Sequence, residues 1–322
     1  MNMVSTTRER AVNPFYSVKK FYYRNKKIID RRFFIFSFLA LPILLFLIFY
    51  VYVNFESFTM AFKTLATLPD ETVGEVWTTD NFKRIWISLQ PSDSGTGILT
   101  EAFTNTMLFN AVNLFLTLPV TTIICYFISR KILGYRFFRA IFYLPCIIAS
   151  SALVLLFKIA LNDGGPLDIL FREKGYVYPL SEAPKAIITI LVYNFLFGLG
   201  GNIIIIGGAM KSIDPQMLEA GQIDGCNWVQ EFIYIILPCI WPTISTILIL
   251  SAAGFLGASG PILPFTQGKN GTMTLAFYTF ALVSGQGASA DYYFASAIGL
   301  CMTAISFPFA MVVKKIVYGK ES

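Results

Sequence analysis

Long stretches free of Asp, Glu, Lys and Arg alternate with short charged segments along this chain. Six of the apolar stretches are close to or longer than the roughly 20 residues that a helix needs to cross a hydrocarbon layer of about 30 Å. The expected fold class is therefore all-α and integral to a membrane. The six predicted transmembrane helices lie at about residues 33–55, 103–129, 140–158, 186–210, 236–257 and 292–313.

Two apolar stretches do not fit a single span. The stretch Phe232–Gly268 is too long for one crossing, and its Gly- and Pro-containing part at 257–261 predicts a helix end. The stretch Asn270–Ala290 is rich in Gly, Ser and Thr, and only its short centre, Leu275–Val283, is strongly apolar. We expect that centre to be an interfacial or re-entrant piece rather than a span.

The distribution of basic residues predicts the topology. If the N-terminus is cytoplasmic, 17 of the 25 Lys and Arg residues fall in inside segments, which predicts that both termini are cytoplasmic. This gives a basic N-terminal segment (1–32), a transmembrane domain (33–318) and a short tail (319–322). Because the basic segment abuts the first apolar stretch, we expect it to contact anionic lipid rather than nucleic acid.

The composition excludes several kinds of chemistry. Hydrophobic residues make up 55% of the 322 residues and charged residues 14%, whereas soluble domains carry about 25% charged residues. The chain has no His, and its five Cys form no C-x-x-C pair, so we expect free, buried thiols and no metal site. It has no P-loop sequence, so we expect no ATP hydrolysis, no catalytic residue and no cofactor here.

The loop at 211–234 breaks the basic-inside pattern. Between residues 211 and 231 it has one Lys and four acids, which are Asp214, Glu219, Asp224 and Glu231. Asp214-Pro215 predicts the N-cap and first position of a short helix, and Asp224-Gly225 predicts the turn that ends it. The residues 227–230 predict a capping box that starts the helix of the fifth span. Such a helix can dock into a partner's groove, although an ordinary acidic linker is the alternative.

Within this loop the ordered sequence resembles the EAA motif of binding-protein-dependent ABC importer permeases. That motif is Glu-Ala-Ala, two residues, Asp-Gly-Ala, eight residues, Ile-x-Leu-Pro. The chain has Glu219-Ala220-Gly221, Asp224-Gly225-Cys226 and Ile235-Ile236-Leu237-Pro238 at the same spacing. The departures, Gly221 and Cys226, keep the side chains small. Gly221 weakens the helix by up to about 1 kcal/mol relative to Ala.

The resemblance extends over most of the chain and is greatest to carbohydrate-type permeases, which include the maltose and glycerol-3-phosphate systems. Supporting segments are Leu39–Phe62, 79–82, Asn105-Thr106, 134–140 with Leu144-Pro145, and Ile213-Asp214-Pro215. The residues 265–269 depart from the Gly-Gly-Pro that the family often has after the fifth span.

The resemblance implies a type I ABC importer permease fold in the cell membrane. Expected partners are a second, similar permease, two cytoplasmic ABC ATPases that hold ATP and Mg²⁺, and an extracellular or lipid-anchored solute-binding protein. The expected solute is a sugar or oligosaccharide. The residues implied to form the coupling helix for the ATPase are Asp214, Pro215, Glu219, Ala220, Gly221, Asp224 and Gly225.

A sugar path needs hydroxyl and amide groups together with aromatic faces. The candidates are Tyr193 and Asn194 in span four, and Ser251, Phe255 and Ser259 of span five, whose i, i+4, i+8 spacing predicts that they share a face. Packing between helices is the alternative explanation for these residues. Two other functions stay open, namely import of a glycerophosphodiester-like solute and ion-coupled carriage. The lack of Asp, Glu, Lys and Arg in the six apolar stretches disfavours the second.

Overall fold

A computed structural model describes residues 31, 34–67, 73–91, 97–162, 164–172, 180, 185–285 and 290–319. The predicted basic N-terminal segment, apart from Arg31, and the last three residues of the predicted tail lie outside these ranges. The chain divides into two compact units, Met1–Thr59 and Met60–Ser322.

The described residues form twelve α-helices and one antiparallel two-stranded sheet. In chain order these are α1 (Phe34–Ala61), β1 (Lys63–Thr67), β2 (Val73–Trp77), α2 (Asp80–Leu89), α3 (Ile98–Ser129), α4 (Tyr135–Ile147), α5 (Ser150–Leu161), α6 (Pro166–Arg172), α7 (Lys185–Lys211), α8 (Pro215–Ile223), α9 (Trp228–Ala253), α10 (Ile262–Phe265), α11 (Leu275–Ser284) and α12 (Tyr292–Tyr318). A 3-10 turn, Phe255–Gly257, follows α9.

Helix α1 accounts for nearly all of the described part of the first unit. It is apolar on all sides over most of its length, with a mean hydropathy of 2.7 and none of its most apolar window buried within the protein. A helix with this pattern is suited to a lipid environment. It continues past the predicted end at residue 55 as far as Ala61.

The described residues contain five helices long and apolar enough to cross a membrane, namely α1, α3, α7, α9 and α12. Over the third span predicted at 140–158 the helix is not continuous, because α4 and α5 are bent there by 104° relative to each other. Pro145 has no N–H to donate within α4, and Ile148 and Ala149 adopt extended backbone with ψ of 140° and 127°. If the bent pair crosses together, the number of spans is six.

Helix α7 lies at the centre of the second unit, against α3, α4 and α9. A Cβ on Gly200 would lie 2.8 Å from the carbonyl oxygen of Phe142, so glycine is needed where α7 and α4 approach each other. All five Cys are free thiols as expected, although only Cys125 is buried. The largest buried cluster comprises Leu118, Cys125, Tyr126, Leu199, Ile203, Ile206, Met210, Ile236, Ile240, Ile244 and Ile247.

The β-hairpin is a correction to the all-α expectation. The Nδ2 of Asn81 in α2 donates to the carbonyl oxygens of Ala61 (3.1 Å) and Lys63 (2.8 Å), which attaches α2 to the start of the hairpin. Across the strands, Lys63 Nζ lies 2.7 Å from Glu75 Oε2. Hydrogen bonds from Lys63 and Tyr293 hold the pKa of the Glu75 carboxyl below its ordinary value. The five-residue strands are too short to be recognised by alternation of apolar and polar residues.

The segment between the 3-10 turn and α12 consists of short helices and loops. Helix α11 has ten residues and is too short to span, as predicted for Leu275–Val283. Side chains of α3 form hydrogen bonds with this segment. Asn105 Nδ2 donates to the carbonyl oxygens of Gly271 (2.9 Å) and Met273 (2.8 Å), and Thr106 Oγ1 accepts from the N–H of Leu275 (3.1 Å). Within the part that departs from the Gly-Gly-Pro pattern, Phe265 belongs to a buried cluster, so this segment packs into the bundle.

Candidate functional site

Helix α8 lies between the end of α7 and the start of α9, and it begins where its sequence predicts. The Asp214 side chain is the N-cap and accepts a hydrogen bond from the Gln216 N–H at 2.9 Å. Pro215 occupies the first helical position, where its missing N–H costs nothing. The first turn is thereby fixed by local chemistry.

The end of α8 is also as predicted. Gly225 has a φ of 76°, the left-handed conformation that follows many helix ends. The Cys226 N–H donates to the Gly221 carbonyl at 3.0 Å, which completes this type of helix cap. Asn227 and Gln230 then form the predicted capping box, each side chain accepting from the other's backbone N–H at 2.9 Å. The turn between α8 and α9 therefore has a defined geometry.

Gly221 holds α8 close to α9. Its backbone is buried, and a Cβ there would lie 2.5 Å from Ile235 Cδ1 in α9. Leu218, one turn earlier on the same face, packs against the largest buried cluster. The missing side chain of Gly221 thus allows α8 to approach the protein's own α9.

A buried ion pair joins the ends of α3 and α9 beside α8. Arg130, immediately after α3, donates to Glu231, whose side chain is 5% exposed. The Gln222 side-chain oxygen of α8, in the amide orientation that suits both groups, accepts from Arg130 at 3.0 Å. Glu231 is one of the four acids counted in the loop, but it belongs to the interior. The sequence did not indicate this pairing, because 101 residues separate its two members.

The opposite face of α8 is exposed. Gln216, Glu219, Ala220 and Ile223 share it at helical spacing, and all four are exposed. The Ile223 side chain is 86% exposed, which is unusual for an isoleucine in a short, well-capped helix. The acidic residue and the uncovered apolar residue form a surface suited to a partner's groove. We call these four residues the outer face of α8.

The candidate path residues of span five do not share a helical face. Helix α9 ends at Ala253, so Ser251 lies in the helix, Phe255 in the 3-10 turn and Ser259 in the loop beyond it. That prediction is wrong, because Gly254 and Gly257 interrupt the helix. Ser251 is exposed, whereas the Phe255 ring packs against the Phe309 ring with 4.6 Å between the ring centroids.

Tyr193 and Asn194 are adjacent in α7 but have different surroundings. The Tyr193 ring is buried in an aromatic cluster, with ring centroids 5.2 Å from Phe157, 4.7 Å from Phe197 and 5.1 Å from Phe265. Packing thus accounts for Tyr193. Asn194 is half-buried and its Nδ2 donates to Asn113 Oδ1 of α3 at 3.2 Å.

Two asparagines of α3 connect candidates that the sequence could not place together. Asn113 bonds Asn194, and Asn110, one turn earlier, donates to the Phe255 carbonyl oxygen at 2.5 Å. Their signal in the sequence is that both amides lie within a predicted transmembrane helix, where an unsatisfied amide would be costly. The structure therefore brings α3, α7 and the 3-10 turn together through amide groups.

Comparison with known proteins identifies the family. The family described as "Binding-protein-dependent transport system inner membrane component" matches residues 122–318, well over half of the chain and all of α8. The chain belongs to this family. It is accordingly a transporter permease subunit, as the motif around Glu219 predicts, and a multi-pass membrane protein.

Several characterised relatives are sugar-transport permeases. The chain is 27% identical over 278 residues to the multiple sugar-binding transport system permease protein MsmF of Streptococcus mutans, covering 84% of this chain and 90% of MsmF. It is 26% identical over 234 residues to the maltose/maltodextrin permease MalF of Vibrio vulnificus, covering 68% of this chain but 44% of MalF. It is 26% identical over 216 residues to the lactose permease LacF of Rhizobium radiobacter, covering 63% and 69%.

Two solved structures have the same fold. One is a bacterial ABC transporter involved in the import of the acidic polysaccharide alginate, with a TM-score of 0.75, 22% identity and coverage of 91% of this chain and 98% of the other. The other is that transporter with its alginate pentasaccharide-bound periplasmic protein, with a TM-score of 0.71 and 22% identity. The ABC importer permease fold expected from the sequence is thus confirmed at the level of the fold.

Proposed function

We propose that this chain is the permease subunit of an ATP-driven ABC importer that moves a sugar or oligosaccharide across the cell membrane. The family match and the sugar-transport relatives support the class of solute. The observation that carries the coupling part of the proposal is the outer face of α8, exposed on a helix that Arg130 and Gly221 hold firmly against the bundle.

In this proposal α8 is the coupling helix and docks into a groove of a cytoplasmic ATPase. Glu219 faces basic groups of that ATPase, and Ile223 enters an apolar part of the groove. Asp214, Pro215, Asp224 and Gly225 fix the two ends of the helix, while Ala220 leaves room for close contact. ATP and Mg²⁺ are bound by the ATPase, and both termini of this chain are on its side of the membrane, which agrees with the excess of basic residues there.

The remaining partners follow from the same class of transporter. A second, similar permease completes the pathway, and an extracellular or lipid-anchored binding protein delivers the sugar. The alginate transporter, whose structure includes a periplasmic binding protein, supports this assembly through its common fold. The α4–α5 pair supplies the sixth crossing in this proposal.

The proposed sugar path runs past Asn194, Asn113 and the 3-10 turn that contains Phe255. Amide groups there offer donors and acceptors to sugar hydroxyls, and Ser251 and Ser259 lie on either side of the turn. Tyr193 supports this wall from the aromatic cluster behind it.

Charge reversal at Glu219 tests the proposal. We expect Glu219→Lys to insert normally but to lose co-purification with the ATPase and sugar-stimulated ATP hydrolysis, because a docking acid becomes a repelling cation. Glu101→Lys is the matched control, since Glu101 lies at the opposite end of α3 from Arg130 and should leave both properties intact. Full activity of the Glu219→Lys complex would refute the docking role.

A transport assay separates the alternatives. Import of a glycerophosphodiester in preference to sugars would identify the first alternative solute, and uptake in vesicles that lack any ATPase would identify an ion-coupled carrier. The genes beside this one are expected to encode a second permease with an EAA motif and a binding protein, and a ligand screen on that binding protein would name the solute.

A further inference from the structure

A cavity of about 220 Å³ lies at the end of the bundle that carries α8. It is formed by the end of α3, the start of α4 and the last turns of α7. Three cationic side chains, Lys131, Arg139 and Lys211, line it, and the rings of Tyr135 and Tyr143 add two hydroxyl groups. No acidic residue is among the lining residues.

The positive charge of this cavity is not neutralised by the protein. Among the described residues, the ion pairs involve none of Lys131, Arg139 and Lys211. The contact found for Arg139 is with the face of the Tyr143 ring, 5.4 Å from its centroid. By contrast the neighbouring Arg130 is paired with Glu231. Three cations gathered around one cavity without a counter-ion create a potential that an anionic ligand would relieve.

The surroundings of the cavity indicate a lipid rather than a soluble anion. Beside Lys131, the Ile132 and Leu133 side chains are exposed, and Leu133 is 99% exposed. Phe137 is also exposed on the first turn of α4. Apolar side chains that project beside cations at the ends of spanning helices fit the boundary between headgroups and acyl chains, where tyrosine is also favoured.

We propose that the cavity binds the phosphate-bearing headgroup of an anionic phospholipid. Lys131, Arg139 and Lys211 contact the phosphate oxygens, the tyrosine hydroxyls donate to them, and the acyl chains lie beside Leu133 and Phe137. Because Arg130 precedes Lys131 and also bonds Gln222 of α8, the bound lipid fixes the α3–α4 connection against the coupling helix. A specific anionic lipid is then a structural ligand of the permease.

The test uses the full chain in phosphatidylcholine nanodiscs that contain spin-labelled phosphatidylglycerol or spin-labelled phosphatidylcholine. The measured quantity is the relative affinity of the protein for the two labels. The wild type is expected to prefer phosphatidylglycerol, and Arg139→Gln with Lys211→Gln is expected to reduce that preference at least about fivefold. The matched control, Lys314→Gln with Lys315→Gln, removes the same charge from the end of α12 and should keep it. Equal losses in both variants would mean diffuse surface attraction and would overturn the proposal.

A second pair of variants tests the cavity without changing charge. A Cβ at Gly207 would lie 3.8 Å from Tyr143 Oη and 4.0 Å from Cys125 Sγ, both ordinary contact distances. Gly207→Ala should therefore keep the lipid preference, whereas Gly207→Leu fills the cavity and should abolish it. Preference retained in a correctly folded Gly207→Leu protein would place the lipid elsewhere and contradict the proposal.

Inorganic phosphate distinguishes the two sources of the anion. Millimolar phosphate added to the wild-type nanodiscs is expected to leave the phosphatidylglycerol label bound, because the headgroup is held by its acyl chains as well. Complete displacement by phosphate would overturn the assignment to lipid and assign the cavity to a soluble phosphate.

Discussion

At the scale of single residues, the contact between Arg130 and Glu231 decides how α8 is supported. Glu231 is almost fully buried, whereas the Arg130 side chain is 25% exposed. A buried carboxyl group that loses its partner is left in a poorly solvated place, while a partly exposed guanidinium can still reach water. The two members of the pair are therefore not equivalent.

This asymmetry predicts an order of stability. Arg130→Met should lower the free energy of unfolding by about 3 kcal/mol, because it leaves the buried Glu231 carboxyl without its ion-pair partner. Glu231→Gln should cost less, and the double variant Arg130→Met with Glu231→Leu should cost less than Arg130→Met alone. Denaturant titration of the purified chain in mixed micelles measures all three. A larger loss for Glu231→Gln than for Arg130→Met would contradict this account of the pair.

Two amides of α3, Asn110 and Asn113, differ in their surroundings. Asn110 is half-buried and bonded to the Phe255 carbonyl, whereas Asn113 is exposed and bonded only to Asn194. An amide that faces a solute path contributes to binding, and one that satisfies a buried carbonyl contributes to stability.

We therefore expect Asn113→Leu to raise the KM for sugar uptake roughly tenfold, the effect of about one lost hydrogen bond, with little change in thermal stability. Asn110→Leu should instead lower thermal stability. The measurements are uptake of the labelled sugar identified with the binding protein, in proteoliposomes, and the Tm of each variant. Unchanged uptake kinetics in Asn113→Leu would remove this residue from the path.

At the scale of elements, the parts that the sequence predicted are those set by neighbouring residues. The N-cap at Asp214, the left-handed Gly225 and the capping box of Asn227 with Gln230 each depend on contacts within a few residues, and all three are found. The bend between α4 and α5 and the early end of α9 also have local causes, in Pro145 and Gly254, but an apolar run hides them.

Other features depend on residues far apart in the chain and were not predicted. The Arg130–Glu231 pair, the bond between Asn113 and Asn194 and the short β-hairpin all join segments whose proximity only the tertiary structure establishes. The sequence therefore predicted the local structure of the loop at 211–234, but not which distant residues contact one another.

The packing of α8 on α9 gives a prediction about a whole element. Gly221→Ala should be tolerated within about 1 kcal/mol, because Ile235 Cδ1 is the mobile end of its side chain and Ala favours the helix. Gly221→Leu should push α8 away from α9 and reduce the hydrogen-exchange protection of residues 215–223, and adding Ile235→Ala should restore part of it. Normal protection in Gly221→Leu would show that this contact does not hold α8.

At the scale of the whole molecule, the arrangement couples two distant regions through one bundle. The outer face of α8 lies at one end of the bundle. The amides of Asn110 and Asn113 in α3 and of Asn194 in α7 lie farther along those helices, and Asn110 bonds the 3-10 turn. Since α8 is fixed to both α3 and α9 by Arg130 and Gly221, the proposed coupling predicts that a displacement of α8 by the ATPase moves the helices that line the proposed path.

The most direct test of this account is site-specific photo-crosslinking from Ile223 in the assembled, transporting complex. A photoreactive residue at position 223 should form an adduct with the ATPase subunit. The same residue at Leu133, which is also strongly exposed at the same end of the bundle, should not. Failure of position 223 to reach the ATPase during active transport, or its labelling by a membrane-impermeant reagent added outside intact cells, would contradict the proposed coupling.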